Sequence, residues 1–311
     1  MKLKNLFTTL FVIGCLMSGV RAQQREGGYF RVIITGFTCH RPTADDPLQR
    51  DGVDDEVQLH ADTYELTPTS DSFAQPLGFY LRSRSVRSAT IGDTNNHANR
   101  IQGGSGQNFF GGNGGFRAGD SFPDQTPWAP SPLFLSRRDV QLNQRPPMVM
   151  WEGSLYCGLS AVVIIPTIWE IDDQLRGSYG NDSHLIPILA PGGRWSEASR
   201  TIPSMDSLVA KLATDSKANY TPVIDAIKES FNRSVVIQNQ LVGEPADRPI
   251  GMKSRGSYYS FVPEVLVLNY ELAQELSQGN FNGAVGVLAI NYRDADELRG
   301  DYTLYLKIER R

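Results

Sequence analysis

The residues best suited to chemistry lie in an acidic loop, residues 43–56 (TADDPLQRDGVDDE). Its six carboxylates belong to Asp45, Asp46, Asp51, Asp54, Asp55 and Glu56. Like charges this close repel one another unless water, a cation or basic neighbours relieve the repulsion. Oxygen ligands clustered on one loop are also what Ca²⁺ binds in proteins. The loop therefore predicts a calcium site whose metal ligands are Asp46, Asp51, Asp54 and Asp55.

The order of residues around this loop resembles the first calcium loop of C2-type β-sandwich domains. In those domains an aspartate precedes a D-G-x-x-D turn, and a strand follows that begins at a hydrophobic residue such as Val57. The resemblance covers residues 29–66 and implies that Asp46, Asp51 and Asp54 bind Ca²⁺. Glu56 stands where that turn usually has an aromatic residue or a proline.

A second acidic segment, the acidic turn at residues 293–300 (RDADELRG), lies between the last two predicted strands. The carboxylates in and next to it are Asp294, Asp296, Glu297 and Asp301. Calcium-binding sandwiches commonly gather ligands from more than one loop, so both segments could serve one site. The alternative is that both are solvated turns whose carboxylates pair with Arg50, Arg293 and Arg299.

Paired carboxylates beside aromatic rings suggest a different chemistry. Two Trp-Glu pairs occur, Trp151-Glu152 and Trp169-Glu170, and Asp172 and Asp173 follow the second pair. A glycoside hydrolase needs two such carboxylates, one as acid and one as base or nucleophile. Neighbouring strand residues point to opposite faces, however, so the alternative is a buried Trp with its Glu in solvent.

The first 22 residues predict an export signal of bacterial type. They combine Lys2 and Lys4, an apolar core and a small-residue exit before Gln23. The protein is then secreted or periplasmic. In the alternative, the residues around Cys15 form a lipoprotein signal, and a lipid on Cys15 anchors the chain. No later stretch has the length and apolarity of a membrane-spanning helix.

Charge and cysteine content narrow the function classes. The chain carries a formal net charge of −4, and losing residues 1–22 removes three cations and no acid, which leaves −7. This balance argues against nucleic acid as a partner.

Only two cysteines, Cys39 and Cys157, lie beyond the predicted export signal. They predict either one disulfide or two separate buried thiols.

Strand patterns dominate the rest of the chain and must position these residues. β-Branched and aromatic runs predict strands at residues 29–37, 57–66, 148–156, 160–171, 257–261, 265–270, 284–292 and 302–309. Pro166 predicts a bulge or an exit from the ladder. Apolar spacing predicts helices within residues 204–233, and residues 103–132 form a Gly/Pro-rich loop.

The pattern predicts a mainly β fold, an antiparallel β-sandwich with a helical insertion. Residues 23–311 are expected to form one elaborated domain, with residues 103–132 as the alternative boundary. We expect the protein to be a binding or structural module in which Ca²⁺ rigidifies the acidic loop. The ordered loop would then be presented to a glycan, a membrane surface or an extracellular protein. The alternative is a secreted hydrolase that acts on polysaccharide through Glu152, Glu170, Asp172 or Asp173.

Overall fold

The computed structural model describes residues 26–44, 54–68, 79–92, 100–101, 103–106, 114–130, 145–171, 221–234, 236–238 and 248–311. Its strands are β1 (Gly27–Arg41), β2 (Val57–Pro68), β3 (Phe79–Arg87), β4 (Thr90–Ile91), β5 (Arg100–Ile101), β6 (Ser121–Phe122), β7 (Met148–Tyr156), β8 (Ala161–Glu170), β9 (Val236–Gln238), β10 (Arg248–Pro249), β11 (Met252–Ser254), β12 (Tyr258–Phe261), β13 (Leu266–Asn269), β14 (Asn280–Phe281), β15 (Ala284–Val285), β16 (Val287–Arg293) and β17 (Asp301–Arg310). Its helices are α1 (Thr221–Ser234) and α2 (Tyr270–Gln278). The predicted mainly β class is confirmed. No helix within these ranges has the length and apolarity needed to cross a membrane.

Two sheets carry most of the strands. The first has the order β16-β17-β1-β6, with β7 also paired to β1. The 15 residues of β1 are enough for both neighbours, because β7 lies along residues 27–34 and β6 along Phe37 and Thr38. The second sheet has the order β10-β8-β2-β4-β5, with β3 beside β2 and β13 beside β8. Every pairing in these sheets is antiparallel except that of β4 with β5.

The hydrophobic core draws on both sheets. Alternate residues of the long strands contribute to it, among them Phe30, Val32 and Ile34 from β1, Leu304, Leu306 and Ile308 from β17, and Leu59 and Ala61 from β2. In β8 all ten residues are buried, as its nearly continuous apolar sequence predicts for a strand covered on both faces.

The prediction that Pro166 interrupts the ladder is wrong. β8 pairs with β2 in unbroken register through Ala61↔Pro166. On its other side, β8 pairs with β13 at residues 161–164 and with β10 at residues 169–170. Pro166 lies in the gap between them, and its carbonyl accepts a hydrogen bond from the Tyr292 hydroxyl at 2.5 Å. The backbone N of a strand residue points the same way as its carbonyl, so the missing N–H faces the gap and no ladder bond is lost.

Two helical segments differ from the prediction in different ways. The helical pattern is confirmed at α1, whereas residues 204–220 lie outside the described residues. The strand predicted to run through Tyr270 ends at Asn269, and α2 begins at Tyr270. The Asn269 side chain accepts a hydrogen bond from the Leu272 backbone N at 2.9 Å and so caps the helix.

Several strand ends meet at one place, which we call the acidic end. β1 leads there into the acidic loop, β2 leaves it, and β16 and β17 flank the acidic turn. β8 also ends there, because Glu170 lies opposite Val57 on β2 and opposite Arg248 on β10. The fold thus brings Asp54, Asp55, Glu170 and Asp294 to a common location.

Candidate functional site

The two acidic segments are neighbours in space. The Ala44 backbone N donates to the Leu298 carbonyl at 3.0 Å, which joins the start of the acidic loop to the acidic turn. The Arg41 guanidinium donates to the Arg299 carbonyl at 2.5 Å and lies 3.9 Å from the Asp296 carboxylate. Sequence alone left open whether the two segments share an end of the fold, and the structure places them together.

Asp54 is buried against the glycine-rich loop. Its two carboxylate oxygens accept hydrogen bonds from Arg117 Nε at 2.9 and 3.0 Å, and the Arg117 side chain is 48% exposed. This hydrogen bond raises the pKa of Arg117. A Cβ atom at Gly106 or Gly115 would clash with Asp54, so the glycines allow the loop to approach the carboxylate. Sequence reasoning treated this stretch only as a long irregular loop and missed the contact.

Asp55 is fully buried and joins the acidic loop to β17. Its carboxylate accepts hydrogen bonds from the Thr43 backbone N at 3.0 and 2.9 Å, from the Thr43 hydroxyl at 3.2 Å and from the Tyr302 hydroxyl at 2.5 Å. Burial raises the pKa of Tyr302 well above its usual value, and the charge of Asp55 adds to the rise. The Tyr302 hydroxyl therefore stays protonated and remains a donor to Asp55.

Cys39 lies beside Tyr302 and is not bonded to Cys157. Cys39 is buried and Cys157 is exposed, and neither sulfur forms a disulfide within the described residues. Burial raises the pKa of Cys39, whereas the hydrogen bond with Tyr302 opposes the rise. Of the two sequence alternatives the structure shows separate thiols, although Cys157 is not the buried thiol that alternative expected.

A buried ion pair lies at the acidic end, next to the acidic turn. Arg248 Nη1 lies 2.7 Å from Asp294 Oδ2, and Asp294 Oδ1 accepts from the backbone N of Gly251 and Met252 at 2.7 and 2.9 Å. Burial lowers the pKa of Arg248, but the carboxylates of Asp294, Glu170 and Asp55 outweigh it and leave the pKa raised. The guanidinium therefore stays charged. Sequence reasoning did not single out Arg248, because its partners are distant in the chain.

Buried carboxylates are concentrated at the acidic end. Five of them are no more than 7% exposed, namely Asp54, Asp55, Glu56, Glu170 and Asp294. Among the described residues, the buried Arg248 forms an ion pair with Asp294, and the half-exposed Arg117 forms one with Asp54. Buried charge needs hydrogen bonds or countercharge to be tolerated. A cation bound nearby would stabilise this arrangement.

The predicted calcium ligands are only partly placed. Asp54 and Asp55 lie at the acidic end, whereas Asp46 and Asp51 lie outside the described residues. Within the described ranges, no group of three or more His, Cys, Asp or Glu side chains is arranged to hold a metal ion. Asp54 and Asp55 also have the protein donors described above. A four-aspartate site therefore stays a prediction.

The carboxylates considered for hydrolysis are spread over both sheets. Glu152 is exposed on β7, opposite Arg31 in the first sheet, whereas Glu170 is buried at the end of β8 in the second sheet. Asp172 and Asp173 lie outside the described residues. This placement of Glu152 and Glu170 lends no support to the hydrolase alternative.

The expectation of a buried Trp and a solvated Glu holds for one Trp-Glu pair only. Trp151 is buried and donates to the Glu65 carboxylate at 2.7 Å, whereas Glu152 is exposed. Trp169 and Glu170 are both buried. The expectation is wrong there because β8 is covered on both of its faces.

Comparisons with models of known protein families, with curated proteins and with solved structures found no match. Function is therefore inferred from the geometry of this chain's own residues.

Proposed function

We propose that this protein is an exported binding or structural module whose acidic end is rigidified by Ca²⁺. The observation that carries the proposal is the concentration of buried carboxylates where the acidic loop meets the acidic turn. Ca²⁺ takes six to eight oxygen ligands in flexible geometry, so it suits carboxylates contributed by irregular segments. The proposed ligands are Asp46, Asp51, Asp54 and Asp55.

The present partners of Asp54 and Asp55 suggest how each would respond to the ion. Asp54 is paired with a guanidinium that is 48% exposed, so Arg117 can turn into solvent when a cation replaces it. Asp55 accepts its hydrogen bonds from a backbone amide and two hydroxyls. Each Asp55 oxygen already accepts two hydrogen bonds, from the Thr43 amide and one hydroxyl, so Asp55 would bind the ion only as one of these donors turns away.

The role proposed for the ion is to neutralise and order a surface for a partner. An acidic end with its charge balanced can be presented to a glycan, a membrane surface or an extracellular protein. The net charge of −7 after loss of residues 1–22 disfavours nucleic acid. The proposal includes the location of the protein, which is either secreted or periplasmic, or anchored through a lipid on Cys15. Extracellular calcium-binding modules work at dissociation constants of about 10⁻⁴ to 10⁻³ M.

The test is the thermal melt of the protein in excess EDTA and then in millimolar Ca²⁺. Millimolar Ca²⁺ is about 1 to 10 times such a Kd, so it should stabilise the native state by roughly 0.4 to 1.4 kcal/mol and raise Tm by about one to a few degrees. The variant carrying Asp51→Asn and Asp54→Asn should lose the calcium response and keep a similar or higher Tm in EDTA. Asp225→Asn, which removes an exposed carboxylate from α1, is the matched control and should respond like the parent.

Arg117→Gln sharpens this test because it removes the present partner of Asp54. The uncompensated carboxylate should make the protein less stable in EDTA and enlarge the calcium response. Equal responses of the parent and the Asp51/Asp54 variant would overturn the ligand assignment. No response in any variant would overturn the calcium proposal.

A further inference from the structure

Four polar side chains, which we call the outer-face block, share the face of the second sheet that is exposed at β3: His60 and Asp62 on β2, and Ser85 and Arg87 on β3. Ser85 and Arg87 are exposed, whereas Asp62 is buried. His60 lies opposite Arg87 and Asp62 opposite Ser85, so all four share a face. The intervening β2 residues Leu59 and Ala61 pack in the core and point the other way. Within the block, Ser85 Oγ and His60 Nε2 are 2.8 Å apart.

The environment of the pair suits proton transfer from the serine to the histidine. Ser85 is exposed, whereas His60 is partly buried. Burial lowers the pKa of His60, Asp62 opposes the shift and Arg87 adds to it. The imidazole is therefore neutral at pH 7, and its Nε2 can accept the Ser85 proton.

Arg87 adds a positive charge beside His60. It lies opposite His60 in the register, and its guanidinium donates to the Gln58 side-chain oxygen, on the side of the block away from Ser85. The Gln58 amide in turn donates to the Ser88 carbonyl at 3.2 Å, which holds Gln58 in place. The charge of Arg87 disfavours the imidazolium and so helps to keep His60 neutral and able to accept a proton.

We propose that Ser85 is a nucleophile activated by His60 and accepts the acyl group of a carboxylic ester. Ser85 Oγ attacks the ester carbonyl carbon while its proton passes to His60 Nε2, and the electron pair of the carbonyl π bond moves to the carbonyl oxygen. The bond to the leaving oxygen then breaks, and Nε2 returns the proton to the departing alcohol. Water then attacks the carbonyl carbon of the acyl-serine and gives a proton to Nε2. The bond to Ser85 Oγ breaks, Nε2 returns the proton to Oγ, and the carboxylic acid leaves.

Asp62 is a positioning residue in this proposal. It lies two residues from His60 on the same face of β2, and its negative charge favours the imidazolium that forms during the attack. The block therefore combines a hydroxyl, a base, a carboxylate and a cation on two adjacent strands. None of these residues belongs to the acidic end, so this inference stands or falls separately from the calcium proposal.

The competing explanation is that the Ser85–His60 hydrogen bond only ties β3 to β2. Reactivity separates the two explanations, because an ordinary surface serine does not react with a fluorophosphonate. The full chain should therefore be treated with a fluorophosphonate probe at pH 7.5, and the modified residue identified by peptide mass spectrometry. Hydrolysis of p-nitrophenyl acetate would report turnover in parallel.

We expect the probe to modify Ser85, with loss of fluoride. Ser85→Ala should abolish labelling, and His60→Gln, which can still hydrogen bond but cannot act as a base, should slow it about 100-fold. Ser154→Ala removes an exposed strand serine from β7 and should label like the parent. Circular dichroism of each variant checks that the fold is retained.

The pH dependence of labelling on the unaltered chain provides a test that needs no variant. The rate should rise with pH and level off once His60 is neutral. Absence of label at Ser85, or equal labelling rates for the parent and a folded His60→Gln variant, would overturn the proposal. A rate that climbs without levelling through pH 9 would also overturn it, since hydroxide would then be the base.

Discussion

The acidic end and the outer-face block differ in how many of their polar side chains are buried, since Asp62 is buried in the block but Ser85 and Arg87 are not. At the acidic end the carboxylates are buried, and Asp55 and Asp294 each accept several hydrogen bonds from the protein. In the outer-face block Ser85 and Arg87 are exposed, and the Ser85–His60 link is one hydrogen bond. Charged groups that are buried and paired couple distant segments, so their loss should lower stability. Exposed groups leave their atoms open to a reactant, so their loss should alter reactivity and leave stability almost unchanged.

The largest expected effect comes from Arg248→Met, which removes the guanidinium facing Asp294 and Glu170. Breaking a buried ion pair from one side leaves charge uncompensated, so we expect the free energy of unfolding to fall by about 3–5 kcal/mol. Chemical denaturation at pH 7 measures it. The double variant with Asp294→Asn should lose less, since it removes the uncompensated charge and keeps an oxygen for the amides of Gly251 and Met252.

Arg233→Met is the matched control for that prediction, because Arg233 is 72% exposed in its pair with Glu229. Its removal should leave the denaturation curve almost unchanged. Similar losses for Arg248→Met and Arg233→Met would break the contrast between buried and exposed charge.

A smaller effect is expected from Tyr302→Phe, which deletes the hydroxyl that donates to Asp55. A buried acceptor that loses a donor destabilises the fold by about 1–3 kcal/mol, although Thr43 still donates to Asp55. Tyr258→Phe removes the hydroxyl of an exposed tyrosine and serves as the control. Equal unfolding curves for the two variants would show that the bond to Asp55 does not stabilise the native state.

The smallest expected effect is a pH dependence that arises in the outer-face block. Burial lowers the pKa of His60 in the folded chain, while an unfolded histidine titrates near about 6.5. The unfolded state therefore takes up the proton first, and the stability present above about pH 6.5 is lost as the pH falls towards the folded pKa. The unfolding free energy of the parent should fall more steeply than that of His60→Gln between about pH 7.5 and 5. Parallel profiles would contradict this assignment.

Local patterns predicted the fold class because they depend only on near neighbours in the chain. The β-branched runs on β1 and β8 and the hairpin that carries the acidic turn lie close to where the sequence indicated. The sequence patterns misplaced a secondary-structure element where two local signals compete. Asn269 ends a strand and caps a helix within a single residue, and periodicity cannot resolve so sharp a change.

The candidate sites depended on contacts between residues far apart in sequence. Asp55 meets Tyr302 across 247 positions, and Arg248 meets Asp294 across 46. His60 and Ser85 are 25 positions apart and have no motif spacing, because the register between β2 and β3 brings them together. A single sequence contains no signal for such a register when the strands are separated by a long connection.

Alternation, turn residues and charge are local properties of the chain, so they were enough to predict a mainly β protein with two acidic segments. Three features became visible only in the folded chain: the two segments meet, Pro166 lies in a gap between two neighbouring strands, and Trp169 and Glu170 are both buried. A strand sequence specifies alternating faces, whereas long-range packing sets which neighbours pair with its edges and cover those faces.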